Sequence, residues 1–172
     1  MNTRWGFFTL CAFLFWAKTI FVYLVDFHLG VSGIYQYFVL LINPIATTLL
    51  IFSIALYIKR TLPAYLCLFL LYTANSVLLL ISVIYYREFT DFMTINVIFG
   101  YSSVSQGLST SSFSMVKPQD IAIIGDLIVV LILLLLKKIK LDERPIVRKQ
   151  AVAMTSFSLF FLMLNITLGE ID

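Results

Sequence analysis

Charge is what this chain has least of. Aspartate, glutamate, lysine and arginine together make up 12% of its 172 residues, whereas a soluble domain carries about 25%. So little polar surface could not cover a water-exposed globule, and with 61% apolar residues the implied solvent is lipid. Cysteine is scarce too. Cys11 and Cys67 each fall about one helical turn inside a run of apolar residues and read as small buried side chains, which implies no disulfide. His28 is the single histidine, and no Cys/His/Asp cluster surrounds it. A zinc site, which needs several ligands at close spacing, is excluded. The sequence contains no phosphate loop, no nucleophile–base pair and no carboxylate dyad, so it shows no catalytic apparatus. No aromatic–basic platform accompanies the cations, which excludes nucleic acid as a partner. There is no repeat period and no second, water-soluble domain.

What the chain does have is five long apolar runs. They predict an all-α integral membrane protein with residues 1–172 forming one transmembrane domain. The spans fall at about 6–27, 35–58, 63–86, 121–136 and 151–168, the last two marginal against the roughly 20 residues that cross a bilayer. Of the twelve basic residues, nine sit in three clusters: Arg4; Lys59 and Arg60; and Lys137, Lys138, Lys140, Arg144, Arg148 and Lys149. These clusters occupy alternate loops, which are the loops that share one face. Cationic loops stay in the cytoplasm, so the N-terminus is expected inside and the C-terminus outside. The apolar run after Arg4 is longer than a signal-peptide core and lacks a small-x-small cleavage site, so it reads as a retained span. Between spans three and four, Phe89 to Phe99 carries apolar residues at three- and four-residue spacing, which suits an external helix lying in the membrane interface. A plain linker is the other reading. Ser102 to Ser114 reads as a connector, and Lys117-Pro118-Gln119-Asp120 as a helix start.

Charges at membrane depth are costly and mark pairing or function. Lys18 lies about 12 Å below Asp26 on a straight helix, and Asp126 about 9 Å below Asp120. The matching depths predict an intramembrane Lys18–Asp126 pair, which lowers the desolvation cost of each charge. The alternative is that Lys18 snorkels along its own helix. Asn43, next to Pro44, lies about 12 Å deep, with Thr47, Thr48, Asn75, Ser76 and Asn165 also in the apolar runs. These polar groups fit either hydrogen bonding between helices or a cavity open to the outer leaflet that admits a lipid headgroup.

Four segments in order carry a family resemblance: Phe13-Leu-Phe-Trp-Ala-Lys18-Thr19; Asp26-Phe-His-Leu-Gly30-Val-Ser-Gly33, leading to Asn43-Pro44; Tyr85-Tyr-Arg87-Glu-Phe-Thr-Asp91-Phe-Met-Thr94; and Lys117-Pro118-Gln-Asp120. Together they resemble the N-terminal five-helix membrane domain of the lipoteichoic acid synthase family of Gram-positive bacteria, which includes primases. The resemblance implies a cell-membrane, multi-pass protein whose extracellular catalytic domain, expected after residue 172, holds Mn2+. That domain transfers glycerol phosphate from phosphatidylglycerol to a polymer on a glycolipid anchor. No catalytic residue and no cofactor is assigned to this chain. Arg87, Lys18, Asn43 and Asp126 are the expected lipid-contacting residues, and the chain's role is to anchor and orient its own extracellular domain. A stand-alone five-span scaffold or regulator and a small lipid transporter are the alternative readings, the latter weakened by an odd span number that shows no inverted repeat.

Overall fold

The computed structural model describes residues 4–27, 33–89, 117–135 and 148–169. Within them the chain forms five α-helices and no strand. They are α1 (Arg4–Val25), α2 (Ile34–Ser53), α3 (Thr61–Phe89), α4 (Ile121–Leu135) and α5 (Arg148–Gly169). A 3-10 turn, Ile54–Tyr57, continues α2, and another, Pro118–Asp120, leads into α4. Four helices are long and apolar enough to cross a membrane, and α4 is a shorter apolar helix. The expected interfacial helix, Phe89 to Phe99, lies outside the described residues from position 90 onward, while Phe89 itself closes α3.

The helices keep their polar side chains by folding them back onto the backbone. The hydroxyls of Thr19, Thr73, Ser76 and Ser158 each donate to the carbonyl four residues earlier, at 2.7–2.9 Å. A hydroxyl used this way can sit in an apolar helix without a bare donor. Pro44 lies inside α2 and removes one backbone N–H, the one that would pair with the Leu40 carbonyl. One residue further along α2, the Trp16 Nε1–H of α1 donates to the Leu41 carbonyl at 2.9 Å, tying the two helices together.

Hydrogen bonds and ion pairs between helices give their directions. Arg4 of α1 reaches Lys59 and Thr61, and Asp26 beyond its far end reaches Arg87, so α1 and α3 run parallel. Lys18 meets Asp126 while Arg87 meets Asp120, so α4 runs against them. Thr155 contacts Ser53 and Tyr57, whereas Asn165 contacts Asn43, so α2 and α5 are antiparallel. One end of the bundle therefore gathers Arg4, Lys59, Arg60, Arg148 and Lys149. The other gathers Asp26, Arg87 and Asp120.

Arg4 is not a loop charge. It is the first residue of α1, 6% exposed. Its guanidinium donates to the carbonyls of Ile58 and Lys59 and to the Thr61 hydroxyl at 2.8–3.2 Å. It thus covers carbonyls at the turn between α2 and α3, where a cation is favoured.

The core follows the same seam. Phe7, Phe8 and Cys11 of α1, Phe52 of α2 and Tyr65 and Tyr72 of α3 are buried together. Phe7 stacks on Tyr65 with centroids 5.1 Å apart. Cys11 is fully buried and behaves as a small apolar side chain. A second cluster, Val22, Phe27, Val83 and Ile123, fills the end where Asp26 and Arg87 lie. Helix α5 packs on α2 and leaves Phe160, Met163 and Ile166 exposed.

The antiparallel α2–α5 register is directly testable. With Cys11 and Cys67 replaced by alanine, the pair Asn43→Cys and Asn165→Cys should lose thiol labelling on mild oxidation. Asn43→Cys with Met154→Cys, displaced by about 16 Å along α5, should keep it. Labelling retained in the first pair would contradict the packing.

Candidate functional site

Two ionic clusters lie one above the other where α1, α3 and α4 meet. The inner one is built around Lys18. Its Nζ lies 2.9 Å and 3.2 Å from the two Asp126 oxygens, 2.6 Å from Ser76 Oγ, 3.3 Å from Tyr72 Oη and 3.4 Å from the Ile123 carbonyl. The Tyr72 hydroxyl donates in turn to Asp126, and Ser76 donates to the Tyr72 carbonyl at 2.7 Å. The ammonium therefore faces a carboxylate, two hydroxyl oxygens and a carbonyl, with the Tyr72 ring beneath it at 4.3 Å. A cation held over an aromatic face gains further attraction. Lys18 is 9% exposed, so this is a desolvated charge with its hydrogen-bonding capacity used.

The outer cluster centres on Arg87, near the end of α3. Nη1 and Nη2 donate to the two oxygens of Asp120 at 2.8 Å each, and Nη2 also donates to Asp26. The two-point contact with Asp120 is the fork-on-fork geometry that makes arginine–carboxylate pairs strong. Asp120 also accepts the Lys117 backbone N–H at 2.8 Å, closing the turn that starts α4. Burial opposes ionisation of Asp120, but hydrogen bonds from Arg87 and the Lys117 amide, with the charges of both residues, outweigh it. Its carboxyl is held below the ordinary aspartate value.

The structure thus brings Lys18 and Asp126 together and puts Arg87 in a separate cluster. Asn43 is in neither. Its Oδ1 accepts from Asn165 Nδ2 at 2.8 Å, joining α2 to α5. Arg87, expected at a phospholipid, has a guanidinium committed to two carboxylates. Sequence reasoning passed over Tyr72, Ser76, Asp26 and Asp120 as members of these clusters. A signal existed for each. Tyr72 and Ser76 are one turn apart on α3, and Asp26, Arg87 and Asp120 all stand where a span ends or begins at one face.

A cleft of about 220 Å³ lies between α1, α2 and α3, bordered by the apolar Phe15, Ile51 and Leu79 as well as by Thr19, Thr48 and Asn75. Among the described residues, no three His, Cys, Asp or Glu side chains converge to hold a metal ion.

Removing one member of the inner pair leaves the other charge buried and unpaired. Lys18→Met or Asp126→Leu alone should each lower stability by about 3–5 kcal/mol, while the double variant should lose much less than the sum. Additive losses in a double-mutant cycle of detergent unfolding would show no coupling. For the outer cluster, a depressed aspartate pKa adds stability that is complete above the ordinary value of 3.8 and is lost as pH falls through the lower folded value. Thermal stability of the parent should drop across that acid range, and Asp120→Asn should flatten the drop while lowering stability at neutral pH.

This arrangement has relatives. The whole chain, residues 1–172, matches the family described as lipoteichoic acid synthase N-terminal domain. It is 33% identical over 172 residues to a lipoteichoic acid synthase of Staphylococcus saprophyticus, covering 99% of this chain and 26% of that protein. It is 31% identical over 169 residues to that of Staphylococcus aureus (strain USA300), covering 97% and 26%. It is 28% identical over 167 residues to lipoteichoic acid synthase 2 of Bacillus subtilis (strain 168), covering 97% and 25%. The chain therefore spans about a quarter of the length of these curated relatives. No solved structure matches it. The match over the full chain, onto a bundle of membrane-length helices, makes this a member of the lipoteichoic acid synthase N-terminal domain family.

Proposed function

We propose that the chain is the membrane domain of a lipoteichoic acid synthase-like glycerolphosphotransferase, seated in the cell membrane as five spans with α1 starting in the cytoplasm. It anchors and orients an extracellular domain that moves glycerol phosphate from phosphatidylglycerol to a polymer on a glycolipid anchor. The observation that carries this reading is the family match over the whole chain. The antiparallel bundle supports the orientation. It sets Lys59, Arg60, Arg148 and Lys149 at one end and the carboxyl end of α5 at the other, and cationic ends stay inside. Manganese belongs to the extracellular domain in this reading, as the family resemblance implies.

In this arrangement the ionic clusters are mechanical. Arg87 and Asp120 bracket the segment between α3 and α4, holding its two ends together at the outer surface. Lys18 and Asp126 lock α4 against α1 deeper in the bundle. A rigid outer face gives a soluble domain a fixed height above a donor lipid that lies in the membrane.

Two measurements test the reading. With native cysteines replaced, Lys117→Cys should react with an impermeant maleimide on intact cells, and Arg60→Cys only after permeabilisation. The reverse pattern would overturn the orientation. Replacing this domain by one unrelated transmembrane helix should then cut polymer synthesis from membrane-embedded phosphatidylglycerol at least tenfold. Hydrolysis of a water-soluble donor analogue by the same chimera should persist. Equal loss of both activities would instead point to a misfolded catalytic domain, and no loss of either would remove the orienting role.

A further inference from the structure

Helix α5 is placed against the usual order of a membrane bundle. Of the four membrane-length helices it is the least apolar and also the least buried. Lipid accepts a leucine-rich surface, so the more polar helix is the one expected inside. The sequence of α5 carries two seams. On the first, Ala151, Thr155, Ser158, Leu162 and Asn165 recur at steps of four and three. Ala151 and Ser158 are buried, and Thr155 and Asn165 hydrogen-bond to α2. On the second, Ala153, Ser156, Phe160, Met163 and Thr167 recur at steps of three and four, and all five are exposed. Phe160 and Met163 leave 63% and 61% of their surface open.

Steps of three and four average about 3.5 residues, the spacing that keeps one face of a helix against another crossing it at about 20°. The first seam already uses this spacing against α2. The second offers small side chains, Ala153 and Ser156, where two backbones can approach closely, and larger ones toward the carboxyl end. The Thr155, Ser158 and Thr167 hydroxyls donate to carbonyls of their own helix. Ser156 makes no hydrogen bond among the described residues, and a hydroxyl facing hydrocarbon gains from a partner on a second helix. An identical helix meets these demands without coincidence. A two-fold axis along the membrane normal leaves depth unchanged, so each position of one α5 meets its own counterpart. A different protein would need small and hydroxyl groups at matching depths, and acyl chains have none. The available area sets the strength. With 22 residues in α5, the strip is about 33 Å long and about 10 Å wide. Two copies then bury about 660 Å² in all, near half of the roughly 1,200 Å² at the lower bound for stable association in water, so the pair is reversible.

We propose that the outward seam of α5 is a self-association surface, through which two copies of the chain pair side by side in the membrane. Ala153, Ser156, Phe160, Met163 and Thr167 form the contact. The inference rests on the reading that α5 spans the membrane, and it goes beyond the anchoring role. Each pair carries two extracellular domains on one patch of membrane.

The test uses the full-length protein in its native membrane, with native cysteines replaced by alanine and one cysteine introduced at a time. On mild oxidation, Ala153→Cys, Ser156→Cys, Phe160→Cys and Met163→Cys should give a cross-linked band of twice the chain mass. Leu159→Cys and Ile166→Cys, exposed but about 80–100° away around the helix, should give little. Two copies carrying different tags should be recovered together in that band. Ser156→Ala should slow formation of the Phe160→Cys band about threefold, the scale of one hydrogen bond within a membrane. Ala153→Leu, which blocks close approach, should slow it further. Unfolding temperature should stay unchanged in both, because both side chains are exposed. Equal bands at every exposed position, as random collision gives, would overturn the proposal. No band, or an adduct of another mass, would do the same. Labelling at Lys117→Cys separates the pair from the anchoring reading. Absent pairing with Lys117→Cys still labelled on intact cells removes the pair and leaves the five-span anchor. A patterned band with reversed labelling removes the orientation and leaves the pair, because the two-fold seam is the same either way up.

Discussion

A buried charge needs its opposite within reach, and in this bundle that requirement fixes three helices at once. Lys18 on α1 needs a carboxylate at its own depth, and Asp126 on α4 is the one that meets it. Arg87 near the end of α3 needs another, and Asp26 and Asp120 both meet it. Helix α4 therefore answers two cations on two different helices, with Asp120 and Asp126 about 9 Å apart along its axis. One contact would leave α4 free to slide or turn about a pivot. Two contacts at different heights fix both its depth and its rotation. Apolar packing alone would do this poorly, because leucine is nearly as content against lipid as against another helix.

The contrast with α5 makes the point. It is held to α2 by neutral groups, through Asn165 on Asn43 and Thr155 on Ser53 and Tyr57, and exposes most of its large apolar side chains. Neutral hydrogen bonds within membranes contribute about 0.6 kcal/mol each on average, far less than the cost of stranding a buried ion. The α1–α3–α4 seam is thus joined by ion pairs, whereas α5 is joined to α2 by extensive packing and neutral hydrogen bonds.

Much of this was legible in the residues. Long apolar runs announced the helices, and the depths of Lys18 and Asp126, counted from flanking aspartates, matched well enough to predict their meeting. Arg87 was harder. A lone arginine at a span end reads as a solvent or headgroup contact, and only the parallel course of α1 and α3 brings Asp26 beside it. Arg4 misleads for a similar reason. In a loop-charge pattern it counts as a topology marker, yet its side chain is folded onto the carbonyls of a neighbouring turn. Both cases turn on which helix ends are adjacent, and composition and periodicity do not contain that information. The cleft between α1, α2 and α3 was visible only as a scatter of Thr, Ser and Asn positions, because a shared depth does not say which faces converge.

The two clusters also bear on what can approach the bundle between them. Arg87 is balanced by Asp26 and Asp120, so the three side chains together carry a net charge of −1 with all three ionised. An anionic phosphate is not drawn to that surface by a free cation, as it would be at an exposed arginine. Below it, the cleft between α1, α2 and α3 is lined by uncharged side chains, apolar and polar together. Pairing the charges thus does more than hold α4 in place. It also withdraws them from the surface.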